Sequence, residues 1–179
     1  MSLVALFTII INNCLFNKFL KMTTYFIDAQ GFCVDGTLLI KELCIMDANN
    51  IFTPYQKVFS LDVPMDILSK KSQYDVKYLI KNHHYLHWDE GSTTFCPSCV
   101  SSQYDVNINS IFYVLDKIDG VKINTLKKHF PNWRLVNYSK RIADLPDVPT
   151  NIKCLYRDHG KHCAYKHCLA MATDYCKTC

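Results

Sequence analysis

Glycine and proline are scarce, at 5 and 6 residues in 179. With charged residues at only 20% and apolar residues at 49%, this excludes a collagen-like, low-complexity or disordered chain. A bilayer span takes roughly 20 apolar residues, and the run Leu3 to Ile11 has nine. No internal repeat is visible. What the chain has instead is aromatic material, 10 Phe, 11 Tyr and 2 Trp, together with 10 Cys. A chain of this length holds one domain with an extension, and it can bury about 70% of its unfolded surface.

The net charge of +4 hides a split. Residues 1–116 carry 8 Lys/Arg against 11 Asp/Glu, and residues 117–179 carry 12 against 5. The second part is basic, which suits an anionic partner and equally a solvated surface.

Residues 1–21 form an apolar N-terminal extension. No Lys or Arg precedes Leu3 to Ile11 and no small-x-small site follows it, so it fits a signal peptide poorly. Met22 is followed at once by the strand-like Thr23 to Ile27, which leaves an upstream start, a surface helix and a signal-like anchor all open. The cysteines come in short-spaced groups mixed with His, as metal ligands do. This favours a reducing, intracellular compartment, cytoplasmic or nuclear, over secretion.

Tyr25 to Ile27 reads as a strand that reaches Asp28 before the turn signals Gly31 and Asp35-Gly36. Thr37 to Met46 reads as a second strand and Val58 to Leu61, after the Pro54 break, as a third; together they predict an antiparallel meander. A helix is expected from Pro64 to about Asn82, then a loop from His83 to Ser102. Ile111 to Leu115 is a buried parallel strand, Val121 to Phe130 a helix and Trp133 to Tyr138 another strand, which makes a βαβ unit. After a connector over 139–153, His162 to about Tyr175 lacks Gly and Pro and suits a helix. The expected organisation is an α/β core over 22–153, completed by a Cys/His-rich C-terminal helical segment over 154–179.

This order resembles that of the ribonuclease-H-like mixed sheet. Phe26-Ile27-Asp28-Ala29-Gln30-Gly31 resembles the first motif of the DEDD exonucleases, in which a strand delivers Asp-x-Glu to a metal site. His162-Cys163-Ala164-Tyr165-Lys166-His167 is similar in spacing to their last motif, a His followed five positions later by Asp. Asp116 and Asp119, after Ile111 to Leu115, look like the place of the middle motif. The plan also resembles small open reading frames of insect genomes, viruses or mobile elements. The resemblance implies a metal-dependent 3′–5′ exonuclease using Mg²⁺ or Mn²⁺, with Asp28, Asp119 and His162 as its surviving catalytic residues and His162 as general base. Gln30 stands where Glu is expected and His167 where Asp is. An amide is a poor Mg²⁺ ligand and an imidazole favours zinc-like ions, so a degenerate site with weak or no hydrolysis is expected.

Five Cys and three His fall within residues 154–179. Zinc takes four thiolate or imidazole ligands, and donors two to four residues apart reach one ion together. Cys154-x4-His159 is such a pair, Cys163 and Cys168 sit among His162 and His167, and Cys176-x2-Cys179 has a natural mate in Cys96-x2-Cys99. At least one structural Zn²⁺ is expected from Cys96, Cys99, Cys154, His159, Cys163, Cys168, Cys176 and Cys179, with buried thiols and disulfides as the alternatives. From Lys117 to Arg141 seven cations face one acid. Lys122, Lys127, Lys128, Arg134, Lys140 and Arg141 can meet phosphates, while Phe130, Trp133 and Tyr138 stack on bases or fill the core. The expected partner is nucleic acid, single-stranded in form; the competing class is a zinc-stabilised, non-enzymatic interaction protein with a protein partner.

Overall fold

A computed structural model describes residues 22–116, 120–148, 154 and 162–178. They form a mixed α/β structure: β1 (Thr24–Val34), β2 (Thr37–Asp47), β3 (Asn50–Val58), α1 (Lys70–Asn82), α2 (Pro97–Ser101), β4 (Ile111–Val114), α3 (Val121–His129), β5 (Arg134–Asn137) and α4 (Ala164–Thr178). The five strands make one sheet in the order β3-β2-β1-β4-β5. β1 runs antiparallel to β2 and parallel to β4, and β4 runs parallel to β5.

The first hairpin turns at Asp35-Gly36, both at positive φ (49° and 76°). That is the pair a tight two-residue turn asks for. β1 is longer than its apolar run suggests because it continues through a register shift between Gln30 and Gly31. A β-carbon on Gly31 would lie 1.9 Å from the Leu39 carbonyl oxygen, so this crossing of β1 and β2 admits only glycine. The third strand departs from expectation: it covers 50–58, with Pro54 inside it. β3 is an edge strand, and its pairing with β2 shifts register between Ile45 and Asp47, opposite the stretch that holds Pro54. A residue without an N–H is tolerated in such a place. The first helix starts at Lys70, capped by the Ser69 side chain on the Ser72 N–H, and a single 3₁₀ turn over Met65–Ile67 precedes it.

β1 is central and buried on both faces, so its period of two sorts its residues between two cores. Tyr25, Ile27 and Ala29 join Leu43, Ile45, Phe112, Leu126, Phe130 and Trp133 on one face. There Trp133 stacks on Phe112 and on Phe130, with ring centres 4.1 Å apart in both pairs. Phe26, Cys44 and Met46 meet Ala164, Cys168 and Met171 of α4 on the other face. Asp28, Gln30 and Glu42 share the parity of that second set, which places three polar side chains under α4. A smaller cluster of Phe32, Val76 and Trp88 holds α1. Buried Lys41 ties the loop after α1 by donating to the carbonyls of Trp88 and Glu90.

Gly31→Ala is expected to cost about 3 kcal/mol of unfolding free energy, the upper end for overpacking. Urea denaturation of the purified variant checks this; Gly36→Ala, which meets no atom within 4 Å, should cost less.

Candidate functional site

The parallel ladder of β1 with β4 ends at Ile27–Val114, and Asp28 is the next residue. It therefore stands at the carboxyl end of the parallel strands, where α/β sheets place their sites. Its side chain is 0% exposed. Lys122, in the first turn of α3, extends its ammonium to Oδ1. His167 of α4 lies with Nδ1 2.8 Å from Oδ2. Gln30, two residues along β1 and on the same face, donates its amide to Oδ2 at 2.6 Å. The Gln30 amide nitrogen also lies 3.2 Å from His167 Nδ1, so the three side chains meet at one point. Burial pushes the Asp28 carboxyl up, but the Lys122 and His167 charges and their hydrogen bonds outweigh it and hold it below the ordinary value.

Asp116 does not serve this cluster in the way the middle motif would: its Oδ2 accepts from the backbone N–H of Ile123 at 2.8 Å and so caps α3. Asp119 lies outside the described residues. His162 precedes α4, with its ring 6.2 Å from that of His167. Two of the three expected catalytic residues, Asp28 and His162, are thus in one neighbourhood. Gln30 and His167, the departures from the exonuclease pattern, contact Asp28 directly. Lys122 was expected at phosphates and instead neutralises Asp28. No sequence signal specifies that contact, because it joins residues 94 apart.

A second group lies under the same helix. Glu42 of β2, Cys154 and Cys163 are all buried, with ligand atoms within 4.8 Å of one another. Gln56 of β3 donates to Glu42 Oε1 at 2.6 Å and to Cys154 Sγ at 2.7 Å. The Ala164 N–H, at the start of α4, donates to Oε2 at 3.0 Å. A hydrogen bond with Cys154, burial and the Glu42 charge push the Cys163 thiol up. Two soft sulfurs and an oriented carboxylate form a donor set that fits a divalent ion, whose charge would expel the thiol protons. Glu42 escaped the sequence reading, although an acid sharing the parity of Cys44 and Met46 on an apolar strand was its available signal.

The other expected ligands are dispersed. Cys168 is buried and donates to the carbonyls of Phe26 and Cys44, both at 3.5 Å, as a core thiol. Cys96 and Cys99 close a disulfide. Val100 of their short helix packs on the sheet face opposite α4, so the structure does not bring this knuckle to Cys176, which is exposed on α4. His159 and Cys179 lie outside the described residues. Of the basic set, Lys140 pairs with Asp174 and Arg141 with Asp144, while Lys127, Lys128 and Arg134 are exposed. Phe130 and Trp133 are core residues, and the Tyr138 hydroxyl donates to Asp174.

Among the described residues no helix is long and apolar enough to cross a membrane. Compared with protein-family models, curated proteins and solved structures, the chain matches none.

Lys122→Met leaves the buried Asp28 carboxylate short of its main partner and should destabilise the protein by about 3–5 kcal/mol. Because the Asp28 pKa is lowered on folding, its contribution is present above the unfolded value of 3.8 and is lost as pH falls through the folded value. Thermal melts from pH 7 down to pH 2 should show a loss in the wild type below about pH 4 that is smaller in Lys122→Met.

Proposed function

We propose that this chain is a nucleic-acid-associated protein of ribonuclease-H-like plan, carrying a degenerate DEDD-type site without hydrolytic activity of its own and stabilised by a structural zinc ion. The observation that carries the reading is the company Asp28 keeps. Two-metal hydrolysis needs several carboxylates around a pair of cations. Asp28 is the lone carboxylate in contact with Lys122 and His167 among the described residues, and the ammonium of Lys122 already balances its charge. The strand order β3-β2-β1-β4-β5, with its antiparallel meander and parallel continuation, supports the plan.

Glu42, Cys154 and Cys163 would hold the zinc. The ion would supply a cross-link between β2, the segment containing Cys154 and the start of α4. Gln56 and the Ala164 N–H orient the carboxylate and act as the outer partners that such sites require. A tetrahedral ion takes a fourth donor, and the Cys154-x4-His159 spacing nominates His159. The nucleic-acid surface would be the exposed Lys127, Lys128 and Arg134, which follow α3 into β5.

The competing reading, a zinc-stabilised module that docks a protein, gains from the burial of Phe130 and Trp133, which removes them as stacking platforms. Salt separates the two, because phosphate contacts weaken steeply as counterions are released and apolar docking does not.

Two measurements test the proposal. End-labelled single-stranded DNA and RNA with Mg²⁺ or Mn²⁺ should remain intact over hours, identically with Asp28→Asn. Degradation abolished by Asp28→Asn would establish an exonuclease instead. In the same assay without metal, binding should weaken with salt, and Lys127→Ala/Lys128→Ala/Arg134→Ala should reduce the slope of log affinity against log salt by about 2 to 3. For the zinc, metal analysis of the reduced protein should give bound Zn²⁺ that is lost with Cys163→Ala and with His159→Ala. Chelation should lower the melting temperature by roughly 5 °C or more, the equivalent of about 2 kcal/mol in a chain of this size.

A further inference from the structure

The outward face of α1 takes no part in the groups described above. This helix buries Ser72 and Val76, and its Leu79 and Ile80 pack with Val76 on Phe32 and Trp88. Lys70, Tyr74, Lys77, Tyr78 and Lys81 are spaced i, i+4, i+7, i+8 and i+11. At 3.6 residues per turn that spacing is one stripe, and it lies opposite Val76. All five side chains are exposed. Lys71 borders the stripe, and Asp75, the one acid of the helix, lies beyond it.

Two features of the stripe point to its ligand. The first is charge: the helix carries four Lys against one Asp. None of the four pairs with a carboxylate among the described residues, so the face suits an anion. The second is the pair of rings between the cations. Tyr74 is 70% exposed and Tyr78 50%, and residues four apart on a helix have β-carbons about 5–6 Å from each other. They form one aromatic platform. Tyr78 also rests against His83, with ring centres 5.5 Å apart, which limits the freedom it would lose on binding. A helix that lies on an anionic membrane needs an apolar side free to enter the lipid, and the apolar side of α1 is already used by Phe32 and Trp88. A nucleic-acid base has a π-face that stacks on tyrosine whatever the base is.

We infer that this stripe is a second contact surface for single-stranded nucleic acid, in which Tyr74 and Tyr78 stack on bases and Lys70, Lys77 and Lys81 meet the flanking phosphates. From Lys70 to Lys81 it runs about 16 Å along the helix. The inference rests on the nucleic-acid reading proposed above. It supplies the stacking platforms that Phe130 and Trp133, buried in the core, do not.

The test titrates the full chain, without added metal, into fluorescein-labelled single-stranded DNA and RNA of mixed sequence at several salt concentrations. Tyr74→Ala/Tyr78→Ala should weaken binding by about fivefold or more for each ring and leave the salt slope unchanged. Tyr74→Phe/Tyr78→Phe, which keeps both π-faces, should bind as the wild type does. Lys70→Ala/Lys77→Ala/Lys81→Ala should lower the slope of log affinity against log salt by about 2. Circular dichroism verifies each fold, and Tyr74→Leu/Tyr78→Leu should lose the same affinity if the alanine pair does not fold. The tyrosines decide the matter. Wild-type affinity in the alanine pair overturns the inference, and if Lys127→Ala/Lys128→Ala/Arg134→Ala still weakens binding, the nucleic-acid reading stands without it. A wild-type chain that binds no single strand overturns both. Lysine-dependent binding to phosphatidylserine vesicles, with oligonucleotide affinity unchanged in the tyrosine and lysine variants, overturns it in favour of a membrane surface.

Discussion

A carboxylate with no exposed surface sits at the centre of this sheet, and the surrounding elements are arranged around the need to neutralise it. An isolated buried charge costs several kcal/mol. Asp28 escapes that cost because two helices on opposite sides of the sheet each send it a partner. Lys122 begins α3, whose apolar residues cover one face, and His167 lies on α4, which covers the other. One side chain of the central strand thereby ties both helices to the carboxyl end of β1. Gly120, at φ 65° as the N-cap of α3, gives the chain the sharp entry that brings Lys122 to this point.

The same face carries a second polar group one row away. Gln30 of β1 pairs across the ladder with Glu42 of β2, so the Asp28 cluster and the Glu42–Cys154–Cys163 group are adjacent. Both are closed over by α4. They differ in their cation: one is supplied by the chain as an ammonium, and the other has a donor set suited to an ion from solution. The start of α4 at Ala164 touches Glu42, and its next turn brings His167 to Asp28. Displacement of that helix would disturb both groups together.

Much of the sheet was legible because apolar runs, turn dipeptides and a terminal acid are local signals. β1, β2, β4, α3, β5 and α4 all follow from them, and so does the place of Asp28 at the end of the apolar run of β1. β3 was misplaced because Pro54 reads as a break unless one knows that the strand lies at an edge. Lys122 was legible as a cation but not in its role, and Glu42 was not singled out at all. Each acts through a partner more than 90 positions away, and only the assembled sheet brings those partners into contact. The cysteines show the same limit: spacing groups Cys96 with Cys99 and Cys163 with Cys168, but the direction each side chain faces decides between disulfide, core thiol and ligand.

Pro54 has a further effect beyond shaping β3. An edge strand of nine residues in a chain this rich in apolar side chains offers open backbone donors and acceptors to any passing strand. The proline lacks a donor and sits in the irregular stretch of the ladder, which interrupts the regular run of backbone groups along β3. At the opposite edge, β5 has only four residues, too few to template a long pairing. Both borders of the sheet are thus guarded against strand addition and the aggregation that follows from it.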